Sequence, residues 1–169
     1  KPSALDGSMA GDVGFDPLGI SDFLNIKWLR EAELKHGRIC MLAALGWLVQ
    51  EIYTFPFYPG APHVPTAAHD YFAKWNGPLG QILLFTSFFE IMTTPAIIQM
   101  VTGESDRMPG DFKFDPLKLA KNEETMKKFQ LNEVKNGRLA MIAIGGLVHQ
   151  AWLTNMGAIE QLQSGKFIP

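Results

Sequence analysis

The stretch ELKHGRICML at Glu33–Leu42 returns one hundred positions later as EVKNGRLAMI at Glu133–Ile142. Glu33, Lys35, Gly37, Arg38, Met41, Ala43, Gly46 and Gln50 each meet the identical residue in the second copy. Ahead of each copy lies a second repeated phrase, GDVGFDPLG at Gly11–Gly19 and GDFKFDPLK at Gly110–Lys118. Such duplication predicts two related helices packed about a pseudo-twofold axis, with a binding site where the copies meet.

Three stretches, Glu31–Tyr53, Pro78–Val101 and Glu133–Met156, approach the ~20 residues a membrane-spanning helix needs. The middle one has no repeat partner. The expected fold is therefore an all-α membrane protein forming one domain over residues 1–169. It has three transmembrane helices, the first and third crossed and the middle one separate. A short amphipathic helix is expected within Gly157–Gly165, through Ile159 and Leu162.

The two linkers differ in kind. Pro56, Pro59, Pro62 and Pro65 stand among Tyr53, Phe55, Phe57 and Tyr58, reading as a helix-breaking connection with interfacial aromatics. The second linker, Gly103–Glu124, is charged and turn-rich. Lys1, Lys27 and Arg30 precede the first stretch, and Arg107, Lys113, Lys118 and Lys121 lie in the second linker, against Lys74 alone in the first. The positive-inside rule puts the N-terminus and the second linker on one side.

The apolar stretches carry polar groups that hydrocarbon does not tolerate without partners. Glu33 and Arg38 are five residues apart, about 140° around a helix, and so do not face each other. Neutralisation by protein then requires crossed pairs, Glu33 with Arg138 and Glu133 with Arg38. Gly37, Ala43 and Gly46, with Gly137, Ala140, Ala143 and Gly146, allow the close backbone approach this demands. An unpaired charge near the bilayer centre costs at least ~2.5 kcal/mol, so charges kept there are functional candidates.

His36, Asn136, Gln81, Glu90 and Gln150 are further polar residues set in apolar surroundings. A magnesium porphyrin-type pigment suits that donor set, because magnesium accepts oxygen ligands and a neutral imidazole serves as well. Its macrocycle would also fill space that three helices leave open. A purely structural role stands beside each reading. The four charges would then lock helix pairing. Gln50, His69 and His149 read more simply as hydrogen-bonded or interfacial residues. Met41 and Met141 fit core filler. Asp16-Pro17 and Asp115-Pro116 fit turn and capping residues.

Composition excludes several classes. A net charge of −2 with interspersed signs offers no grip on nucleic acid. Cys40, the single cysteine, makes neither a disulfide nor a thiolate metal site and reads as packing. No basic-then-apolar leader opens the sequence, and any targeting segment is expected to lie outside this numbering. No nucleophile–base arrangement, phosphate-binding glycine loop or zinc-binding helix motif is present, so no enzymatic activity is expected.

ELKHGR and EVKNGRLAM, each preceded by GD-x-x-FDPL, resemble the light-harvesting chlorophyll-binding protein superfamily over nearly the whole chain. The segment IKWLREAELKHGR at Ile26–Arg38, followed by TTPAIIQM and GESDRMPGDF, is similar to its red-lineage branch of photosystem I antennae from red algae, diatoms and cryptophytes. The resemblance implies that Glu33, His36, Glu133, Asn136 and Gln150 ligate chlorophyll magnesium, with Arg38 and Arg138 neutralising the glutamates. Glu90 and Gln81 become further ligands, Gln81 standing one residue farther from the glutamate than in green-lineage members. Asp16, Pro17, Asp115 and Pro116 become turns anchoring carotenoids. The C-terminal helix lacks the histidine that green-plant members use as a ligand.

The resemblance further implies chlorophyll a, with or without chlorophyll c, and carotenoids of fucoxanthin, diadinoxanthin, zeaxanthin or alloxanthin type, together with lipids. The partners it implies are a photosystem core, photosystem I by analogy, and neighbouring antenna proteins in a chloroplast thylakoid membrane. The N-terminus and second linker would be stromal. A photoprotective, energy-dissipating member of the family and a pigment-free membrane scaffold are the rival readings.

Overall fold

The helix-forming stretch from Ile26 combines Leu, Glu, Lys, Arg, Met and Ala, and no proline interrupts it before Pro56. In the computed structural model, which describes residues 4–54, 56–58, 60–74 and 77–166, it forms one helix of 27 residues, α2 (Ile26–Ile52). It is preceded by a single turn, α1 (Ile20–Phe23), and followed by α3 (Pro65–Ala73), α4 (Pro78–Thr102), α5 (Glu123–Thr154) and α6 (Ala158–Ser164). No strand occurs among the described residues. Lys1, Phe55 and Pro59, which entered the reading of the linkers and of sidedness, lie outside them.

The apolar stretches locate the long helices but not their ends. Helix α2 starts at Ile26 rather than Glu31, and α5 starts at Glu123 rather than Glu133. The added turns are polar, with Glu123 and Glu124 opening α5, where acidic side chains complement the helix dipole. The proline-rich linker also holds a helix, α3, because Pro65 sits in its first turn, where its missing N–H goes unneeded.

Among the described residues, α4 alone is long and apolar enough to cross a membrane, with a mean hydropathy of 1.5 in its apolar window. Helices α2 and α5 have the length, at 27 and 32 residues, but their N-terminal halves are charged. The window of α4 is wholly unburied, and Leu84, Ile91, Leu42 and Ile142 are each more than 70% exposed. Buried hydrophobic residues are few and mostly small, including Ala68, Ala140 and Ala151. The chain leaves much of its apolar surface uncovered.

The chain divides into two compact units, one of residues 1–39 and 92–139 and another of residues 40–91 and 140–169. In the first, α2 meets α5 where Gly37 and Gly137 touch backbone to backbone. Beside that crossing, Glu31 is 3% exposed, and its Oε2 accepts from Gly110 N at 2.6 Å and Arg107 Nη2 at 3.0 Å. The Arg107 guanidinium lies over the Phe112 ring at 4.5 Å, so a clasp joins the second linker to α2. In the second unit, the Glu51 carboxylate accepts from Ala158 N and Ile159 N, both at 2.8 Å, and caps α6.

Candidate functional site

The five-residue spacing that keeps Glu33 and Arg38 apart on α2 turns each toward the other helix. Arg38 Nε donates to Glu133 Oε1 at 2.7 Å, and Arg138 Nε donates to Glu33 Oε1 at 2.7 Å. Each arginine also holds the repeated glycine turn ahead of its partner helix. Arg38 Nη2 donates to Gly110 O at 2.9 Å, and Arg138 Nη1 donates to Gly11 O at 3.0 Å.

Gly11 and Gly110 were not singled out from sequence, although both open the repeated GD phrase. Both have positive φ, 73° and 80°, where a Cβ is strained. Both are also tightly covered. A Cβ on Gly11 would lie 3.0 Å from Val134 Cγ1, and one on Gly110 would overlap Leu34 Cδ1. Leu34 and Val134 are repeat-related positions, so the two halves use one device twice.

The symmetry breaks at Glu33. Arg30 Nη1 donates to its Oε2 at 2.7 Å, whereas the position equivalent to Arg30 is Gln130. Glu33 therefore sits with two arginines and Glu133 with one. A carboxylate has about four lone-pair sites, so both keep acceptor capacity.

His36 and Asn136 lie one turn beyond those glutamates, on the outer surfaces of α2 and α5. Both are exposed. His36 Nδ1 is 2.8 Å from the Ala32 carbonyl. A carbonyl only accepts, so in the neutral ring Nδ1 carries the proton and Nε2 presents its lone pair outward. These groups fit a magnesium tetrapyrrole by donor chemistry: one imidazole nitrogen, one amide oxygen and two carboxylates, none buried beyond reach.

Of the other candidates, Gln150 is exposed on α5 and Gln81 and Glu90 are exposed on α4. His149 Nδ1 is 2.8 Å from the Gly145 carbonyl. Gln50 Nε2 reaches Pro62 O at 3.5 Å, and His69 Nδ1 is 3.3 Å from Asp70 Oδ1 on α3.

The two FDPL turns are built alike. Asp16 Oδ1 accepts from Ile20 N at 3.1 Å, while Oδ2 accepts from Ser21 N at 2.8 Å and Ser21 Oγ at 2.6 Å. The Ser21 hydroxyl, followed by the backbone donors, holds the Asp16 carboxyl below its ordinary value. Asp115 accepts from Leu119 N and Ala120 N, both at 3.1 Å. Pro17 and Pro116 are exposed at the tips, and Phe15, Leu18, Phe114 and Leu117 beside them are all at least 76% exposed. Beside the first turn, Val13, Phe15, Ile26, Leu29, Glu33 and Arg138 help line a groove of about 470 Å³.

Residues 1–152 match the family described as Chlorophyll A-B binding protein. The chain is 37% identical over 183 residues to a fucoxanthin-chlorophyll a-c binding protein of Chattonella marina var. antiqua, covering 99% of this chain and 78% of that one. It is 31% identical over 191 residues to photosystem I chlorophyll a/b-binding protein 3-1 of Arabidopsis thaliana, covering 95% and 70%. Chlorophyll a-b binding protein 8 of Solanum lycopersicum is 32% identical over 191 residues, again covering 95% and 70%.

Proposed function

From the premise that this chain belongs to the chlorophyll a-b binding protein family of light-harvesting proteins, we propose that it is a thylakoid antenna subunit passing excitation to a photosystem core. The carrying observation is the crossing itself: two neutralised glutamates, each followed one turn later by an outward-facing His36 or Asn136.

In this reading α2, α4 and α5 all cross the membrane within a single domain. Four of the charges on α2 and α5, Glu33, Arg38, Glu133 and Arg138, are paired at the crossing. Lys27 and Arg30 at the start of α2 and the basic residues of the second linker belong to the first unit, in keeping with one stromal side. The uncovered apolar surface would be met by lipid tails and pigments.

Glu33, His36, Glu133, Asn136 and Gln150 would hold chlorophyll magnesium, with Gln81 and Glu90 as further ligands on α4. Bound chlorophyll supplies visible absorption and an excited state that moves between neighbours. The chain's own part is placement: the helices position each donor atom, and the ion pairs orient both carboxylates. The exposed Phe and Leu beside each FDPL turn offer apolar ends to a carotenoid lying along the crossed helices. No bond chemistry is involved.

The relatives named for fucoxanthin with chlorophyll a-c and for photosystem I support chlorophyll a with chlorophyll c, a fucoxanthin-type carotenoid and a photosystem I partner. Absorption and pigment extraction of the gently solubilised protein test the reading, beside a His36→Ala/Asn136→Ala variant. Fewer chlorophylls per chain in a folded variant is the expected outcome. Undiminished pigment removes the ligand assignment, and a colourless wild type removes the antenna reading. Co-migration with photosystem I in a density gradient tests the partner.

A further inference from the structure

His149 stands outside the repeat, since the position one hundred residues earlier is Val49. From Leu139 to Leu153, α5 is otherwise apolar or small except for the adjacent Gln150. The His149 imidazole nevertheless has a defined state. Its Nδ1 is 2.8 Å from the Gly145 carbonyl, the same distance as His36 Nδ1 from Ala32 O. Nδ1–H donates to that carbonyl, so the neutral ring turns an Nε2 lone pair away from the helix.

The surface around that lone pair has a particular shape. Gly145 and Gly146 lie four and three residues before His149, on the same helix face. A Cβ at either would meet nothing within 4 Å, so the surface there is flat and open. Ile142 borders it at 77% exposure and Trp152 at 65%. The Trp152 indole stands edge-on to the imidazole with ring centroids 6.0 Å apart. The result is a flat apolar face with one outward nitrogen donor.

We propose that His149 Nε2 is the axial ligand of a further magnesium tetrapyrrole, its macrocycle lying over Gly145 and Gly146 with Trp152 at its edge. The inference rests on the antenna reading above. Three features select this ligand class. A lone imidazole acceptor in hydrocarbon is costly unless it gains a partner. Magnesium in a tetrapyrrole supplies one without bringing a net charge into the membrane. A planar apolar ring also suits a surface from which two consecutive glycines remove the side chains. His149 and Gln150 point about 100° apart around the helix, so this site is separate from any pigment on Gln150.

The test is pigment stoichiometry of the purified holoprotein with His149→Phe and His149→Ala, beside the conservative His149→Asn. The Phe and Ala variants are expected to lose about one chlorophyll per chain with a matching change in the low-temperature red absorption. Asn, which keeps an oxygen donor, is expected to retain more. Folded Phe and Ala variants with wild-type chlorophyll overturn the proposal while leaving the antenna reading standing. A colourless wild type overturns both. Should neither variant accumulate, 15N-imidazole NMR of the wild-type holoprotein decides: metal-bound Nε2 at His149 supports the assignment, and free imidazole defeats it.

Discussion

Gly37 and Gly137 approach so closely that a Cβ built on either would lie 3.0 Å from the other's Cα. The obstacle is backbone, which cannot swing aside as a side chain can. The crossing therefore depends on the absence of one carbon atom from each helix.

Gly37→Ala and Gly137→Ala should each destabilise the folded holoprotein by about 1 to 3 kcal/mol, the usual penalty for overpacking. The double variant should cost less than the sum, because helices pushed apart by one methyl already make room for the second. Thermal unfolding followed by loss of visible circular dichroism checks this. A single variant as stable as wild type would refute the tight crossing.

Arg38 is bound to Glu133 and to the Gly110 carbonyl. With α5 spanning the membrane as proposed, Arg38→Met removes the positive charge and leaves the Glu133 carboxylate unneutralised, at a cost of roughly 2 to 4 kcal/mol. Adding Glu133→Gln restores neutrality while keeping an oxygen donor. The double variant should recover half or more of the lost stability and retain pigment that Arg38→Met alone loses. Recovery below a tenth would show that the carboxylate was not the source of the damage.

The repeated turn carries a different weakness. Gly14 and Gly19 have φ of 73° and 64°, and their counterparts in the second copy are Lys113 and Lys118 at 55° and 49°. A side chain in the left-handed region costs about 1 kcal/mol, partly offset by the greater chain entropy glycine loses on folding. Lys113→Gly and Lys118→Gly together should stabilise the protein by about 1 kcal/mol. A lowered melting temperature would mean that those lysines make contacts outweighing their strain.

What was legible in the sequence followed from duplication. A glutamate and an arginine five apart, occurring twice, leave only a crossed solution, and the glycines between them allow it. What was hidden is what the repeat does not contain. Glu31 has Leu131 as its counterpart, so self-comparison passes over the Glu31–Arg107 clasp although the carboxylate is nearly inaccessible. Arg30 on Glu33 is masked in the same way by Gln130. Helix α3 was missed because the prolines around it read as breakers, when Pro65 starts a helix. The first turns of α2 and α5 fall outside the apolar stretches because hydropathy marks the apolar part of a helix, not where its hydrogen bonding begins.

The first FDPL turn should resist acid. Asp16 accepts three hydrogen bonds from Ser21 and Ile20, and the Ser21 hydroxyl contributes most to holding its carboxyl below the ordinary 3.8. A group whose folded value is depressed stabilises the fold above its unfolded value, and that contribution fades as pH falls through the folded value. The Asp16 contribution is therefore complete at neutral pH and fades as pH falls through 3.8 toward the lower folded value. Ser21→Ala removes the first-ranked donor, so the titration of Asp16 should move up toward its ordinary value. The 13C chemical shift of the Asp16 carboxyl, followed from pH 6 to pH 2 in the wild type and in Ser21→Ala, measures both curves. Coincident curves would show that the Ser21 hydroxyl does not hold the turn.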